Sequence, residues 1–60
     1  MKILDLCPLI IATSDIEIVK NVETLYSGNV REVPEELLEK EIATNGILAL
    51  EKGRFFVFVE

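Results

Sequence analysis

Cys7 and Pro8 form the one pair in this chain that suggests covalent chemistry. A thiol at a helix N-terminus has its pKa lowered, and the thiolate is the nucleophile. Asp5 reads as the N-cap of a short helix, its carboxylate accepting a bond from a first-turn amide. Pro8 then takes the third helical position, where a missing N–H breaks no intrahelical bond. The competing reading is a buried cysteine that acts as a small hydrophobe. A second set is the acidic run from Glu32 to Glu41, which holds five glutamates. It either imitates phosphate charge toward a basic groove or forms a solvated helix face, favoured by the helix dipole and by Glu36 and Lys40 at i,i+4. Glu35, Glu36 and Glu39 are its candidate partner-binding residues. A third set is Tyr26, Phe56 and Phe58, expected on the outer face of a sheet where they would touch a partner. For Tyr26 the alternative is an ordinary cross-strand aromatic contact.

Other chemistry is poorly served. There is no histidine, and a single cysteine permits neither an internal disulfide nor a zinc site of the usual Cys/His kind. The paired carboxylates fall on faces predicted to be exposed, which does not suit them to acid–base catalysis. The chain has no Gly-rich phosphate loop and little room for a deep pocket. No catalytic residue, metal or cofactor is therefore expected. The formal net charge is -5, and the six basic residues are scattered, so direct binding to nucleic acid is not expected. An acidic balance mostly means solubility, and less often a basic partner or mimicry of nucleic acid. The apolar runs Leu9 to Ala12 and Phe55 to Val59 fall well short of the ~20 residues that span a bilayer. The first residues lack the basic region and cleavage site of a signal peptide. With one free thiol, these features point to a reducing cytoplasm.

The elements that position these residues fit one small domain. Sixty residues bury only about 60% of the unfolded surface, so stability is marginal without an efficient core or oligomerisation. The apolar fraction of 50% is enough to build that core. "MKI" is a strand end or an extended lead-in. After Asp5, one or two helical turns point Leu6, Leu9 and Ile10 inward. "DIEIVK" alternates as a half-buried strand, with Ile16 and Ile18 inward and Asp15, Glu17 and Lys20 on the other side. Asn21 to Glu23 connect it to "TLYSGNV". There the odd spacing of Leu25 and Val30 predicts a bulge at Gly28. "VPEELLEKE" is the clearest helix, with Pro34 at its first position. Leu37, Leu38 and Ile42 lie on one arc, and the helix ends near Lys40 or Glu41. "ILALEKGRFFVFV" reads as a second hairpin turning at Glu51-Lys52-Gly53, with Asn45-Gly46 as a loop or bulge leading into it. The expectation is an α+β fold: a four-stranded antiparallel sheet of two hairpins with two short helices, in the order αββαββ.

The last strand sets the main structural question. Phe55, Val57 and Val59 alternate with Phe56 and Phe58, so both faces are apolar. Ile47 and Ala49 alternate with Leu48 and Leu50 in the same way. Two short helices cover about one sheet face. Phe55, Val57 and Val59 are assigned to the core and Phe56 and Phe58 to an outer patch. Either the first helix wraps over that patch or a second chain does, and the second chain is favoured.

Two resemblances bear on function. "LDLCPL" resembles the Cys-Pro motif of small sulfur-carrier proteins, although their glycine ahead of the cysteine is replaced here by Asp5 and Leu6. That resemblance implies Cys7 as the carrier thiol. Over nearly the full length, "MKILDL", "DIEIVK", "TLYSGNV", "VPEELLEKEI" and "FFVFV" are similar, in the same order, to a group of small, mostly uncharacterised proteins of phages, prophages and other mobile elements of Firmicutes. This second resemblance implies a mobile-element origin and the cytoplasm of a host cell. It implies no catalytic residues. The expected function is a non-catalytic protein-binding module whose partner is a host or defence protein. An acidic inhibitor of a nucleic-acid enzyme, of the anti-CRISPR or DNA-mimic type, would be one such module. The alternatives are a homodimeric accessory protein and a sulfur carrier using Cys7.

Overall fold

The computed structural model describes residues 1–50 and 53–60. Its elements are α1 (Ile3–Leu6), β1 (Asp15–Lys20), β2 (Glu23–Asn29), α2 (Glu35–Leu38), β3 (Ile42–Leu50) and β4 (Arg54–Val59). Three-residue 3-10 turns follow α1 (Cys7–Leu9) and β2 (Val30–Glu32). The class is α+β in the expected order. The sheet is mixed rather than wholly antiparallel: its strand order is β2-β1-β4-β3, and the central strands β1 and β4 run parallel. The segment 30–41 is the cause. It carries the chain from one sheet edge to the other, so β3 runs in the direction of β2. The second hairpin then returns β4 beside β1 in the same sense.

The first helix begins earlier than expected. Asp5 is its third residue rather than its N-cap, and its carboxylate accepts from the Lys2 N–H at 3.0 Å. Starting at Ile3 lets Ile3 and Leu6, one turn apart, both enter the core. Leu9, expected inward, is 72% exposed, and Ile10 is half-buried. In β1, Ile16 and Ile18 face inward as expected. Strand alternation makes Val19 the third member of the Asp15 and Glu17 row, while Lys20 ends the Ile16 and Ile18 row. The β1–β2 bulge is at Leu25, not Gly28, because Ile18 pairs with Tyr26 and Val19 with Thr24. The strand ends before Val30, where Asn29 accepts from the Arg31 N–H at 2.8 Å and turns the chain.

The second helix is one turn long, with Pro34 just ahead of it and Glu39 closing it. It stops at Leu38 because the backbone beyond it pairs in extended form with the N-terminal segment. Ile3 N–H donates to the Lys40 carbonyl at 3.0 Å, and Ile42 N–H to that of Met1 at 2.8 Å. Ile42, expected to extend the apolar arc of the helix just past its end, is therefore buried on a strand. Its pairing with Val59 is followed by a jump to Ile47 with Val57. Residues 43–46 bulge out between these pairs, as Asn45-Gly46 suggested. Asn45 takes a left-handed φ of 58°, which asparagine tolerates better than most residues. A Cβ on Gly46 would lie 2.6 Å from the Phe58 carbonyl oxygen and 2.7 Å from that of Ala43. The expected turn at Glu51-Lys52 lies outside the described residues; Gly53 after it has the left-handed φ of 67°.

Ile3, Leu6, Ile16, Ile18, Val30, Leu37, Ile42, Val57 and Val59 form the buried core. Both helices thus pack on the face of the sheet that carries Ile16, Ile18, Val57 and Val59. Ile18 and Val57, opposite each other across the parallel pair, are both 0% exposed. Ile18→Ala removes about 2–5 kcal/mol, against the roughly 3–5 kcal/mol that a core of this size supplies. It should abolish the cooperative thermal transition. Gly46→Ala drives a methyl into two backbone carbonyls and should lower stability by about 1–3 kcal/mol, read as a lower denaturation midpoint.

Candidate functional site

On the sheet face away from the helices, directly opposite residues share one side. Glu17 pairs with Phe56 and Val19 with Phe58 across the parallel strands. Phe56 pairs with Leu48 and Arg54 with Leu50 across the second hairpin. The result is one apolar patch of Val19, Phe56, Phe58, Leu48 and Leu50. Leu48 is 50% exposed, Leu50 39% and Phe58 38%. The Phe56 and Phe58 rings meet edge to face, with centroids 6.5 Å apart, a favoured aromatic geometry. Asp15, Glu17 and Arg54 border the patch, and Glu17 accepts from the Thr24 hydroxyl at 3.3 Å. The first helix does not wrap over this patch, since Ile3 and Leu6 are committed to the opposite side.

Tyr26 does not join Phe56 and Phe58. With the bulge at Leu25, Tyr26 pairs with Ile18 and lies on the core side. Its hydroxyl donates to the Asn29 carbonyl at 2.8 Å. The expected outer set loses Tyr26 and gains Val19, Leu48 and Leu50. The alternation of Leu48 and Leu50 was visible in the sequence. Val19 was not, because its place beside Phe58 depends on the parallel pairing of distant segments.

Glu35 and Glu36 are exposed in the single turn of α2, and Glu39 closes it. Lys2 Nζ lies 3.4 Å from the Glu39 carboxylate. The pair expected between Glu36 and Lys40 is not among the ion pairs of the described residues, because the helix ends before a second turn can bring them together. The acidic set lies on the helix side and the apolar patch on the other, so one flat partner cannot cover both.

Cys7 caps the C-terminal end of α1 and opens the three-residue 3-10 turn that continues it, so it does not begin an α-helix. It is half-buried against the core, and this burial pushes its thiol pKa up. That is the reverse of what an activated nucleophile needs. A small cavity of about 60 Å³ lies among Asp15, Glu17, Arg54 and Phe56. A wider, open groove of about 340 Å³ runs along the bulge, from Met1 and Ile42 to Ile47, and no ionisable side chain lines it. Among the described residues, no group of three Cys, Asp or Glu converges as a metal site would require. Comparison with protein-family models, with curated proteins and with solved structures finds no match.

The environment of Cys7 makes a specific prediction. Its thiol should titrate above an ordinary cysteine and react with a thiol reagent at neutral pH more slowly in the folded protein than in denaturant. Faster reaction in the native state would restore Cys7 as a candidate sulfur carrier.

Proposed function

We propose that this chain is a non-catalytic module that binds a partner protein on the outer face of its sheet. The observation that supports this reading is the apolar patch of Val19, Phe56, Phe58, Leu48 and Leu50, in which Phe58, Leu48 and Leu50 are exposed and Val19 and Phe56 half-buried. A chain that has spent both helices on one face leaves the other to solvent or to a partner. Contiguous apolar patches rimmed by polar groups mark interaction surfaces. Phe56 and Phe58 are the natural anchors, since rigid aromatic side chains carry much of the energy of protein interfaces. Glu17 and Arg54 supply a rim of both charge signs. The resemblance to mobile-element proteins directs the search for a partner to host and defence proteins, nucleic-acid enzymes among them.

An inhibitor that imitates nucleic acid would dock through Glu35, Glu36 and Glu39 instead. The apolar face is favoured over that set because α2 offers only one turn and Lys2 already engages Glu39. Affinity capture from the producing host separates the two. The protein retained by the native chain should be lost with Phe58→Glu and kept when Glu35, Glu36 and Glu39 are all changed to Lys. The opposite pattern would move the function to the acidic helix. Retention unchanged by Phe58→Glu would remove the outer face from consideration.

A further inference from the structure

The two edges of the sheet are finished differently. On the β2 edge, Glu23 carries charge and the bulge at Leu25 breaks the ladder. Such devices keep edge strands from pairing with other chains. The β3 edge is treated this way only along its first half. There Met1–Ile3 pairs with Lys40–Ile42, and residues 43–46 bulge out. From Ile47 to Leu50 the edge carries no bulge and, among the described residues, no cover, and all four residues are exposed. The nine residues of β3 include no ionisable side chain, in a chain of net charge -5.

We infer that this half-edge pairs with the same half-edge of a second copy, antiparallel, joining two four-stranded sheets into one of eight. Unpaired strand N–H and C=O groups are matched by another extended backbone. The charge distribution selects a second copy as the occupant. Two chains of net charge -5 repel wherever their acidic surfaces meet, and 47–50 is a stretch of edge whose own residues bring no charge. A two-fold axis normal to the sheet keeps both outer faces on one side. Leu48 and Leu50 then meet the same residues across the new ladder, and the two apolar patches become one. Closure through β3 leaves only the blunted β2 edges outward, so assembly stops at two copies. Four residues per chain bury far less than the roughly 800 Å² per partner of a standard interface. The association is therefore weak and concentration-dependent. It stands on the backbone edge and does not require the partner proposed for the outer face.

Sedimentation equilibrium from about 10 μM to 1 mM, the range of such weak contacts, should show the mass rising to twice the monomer and no further. Amide exchange over the same range should slow at alternate residues within 47–50. Ala49→Lys, which puts a charge on the edge, should abolish the doubled mass while leaving capture of the outer-face partner intact. Phe58→Glu should do the reverse. A monomer throughout, growth beyond two copies, or doubling without slower exchange at residues 47–50 would each overturn the edge pairing. The exchange measurement uses the unaltered chain, so it decides the matter even if Ala49→Lys fails to fold.

Discussion

The parallel contact between β1 and β4 is the interaction on which the rest of this structure depends. It brings Ile16 beside Phe55 and Ile18 beside Val57, joining two hairpins that would otherwise be separate ribbons. An isolated hairpin is at best marginally stable in water, and a sheet of three or more strands with a covered face is needed. Here the covered face exists only because β4 lies between β1 and β3. The inward rows of both hairpins then fall on one side, where Ile3, Leu6 and Leu37 close over them.

Economy follows from that arrangement. The chain has two short helices, and both are drawn to the row of Ile16, Ile18, Val57 and Val59. The local departures from regular structure serve the same end. α1 starts early to bury Ile3. α2 stops after one turn so that residues 40–42 can pair with the N-terminal segment. The bulge at residues 43–46 takes up the slack that lets Ile42 and Ile47 each meet β4 in register. Burial on one face is thus achieved at the expense of cover on the other, which is why the apolar patch and the bare half-edge of β3 adjoin.

The acidic surface plays a different part. Glu39 and Glu41 are tied to Lys2 and to the Met1 amino group, both partly exposed. Surface pairs of this kind contribute about 0–1 kcal/mol. Their value here lies in orienting the N-terminal segment rather than in stability. Glu35 and Glu36 remain as solvated charge at the start of a very short helix. Recognition through apolar contact with Phe56 and Phe58 therefore fits the fold more closely than recognition through charge.

Much of this was legible in the residues themselves. Alternation assigned Ile16 and Ile18, and Val57 and Val59, to the core. It also separated Phe56 and Phe58 from them, because a strand has a period of two whatever its neighbours are. Turn chemistry marked Asn45-Gly46 and Gly53. The residue types alone argued against a disulfide and against a Cys/His zinc site. Tertiary structure decided which strands are neighbours, and with that the membership of the patch. Val19 entered it through parallel pairing with a segment far along the chain, and Tyr26 left it through a one-residue bulge at Leu25. Helix ends were decided in the same way, by backbone partners at residues 1–3 and 40–42. Local sequence specifies the direction of each side chain relative to its own strand. Which strand lies alongside, and which face a helix occupies, depend on contacts between distant residues that no local pattern encodes.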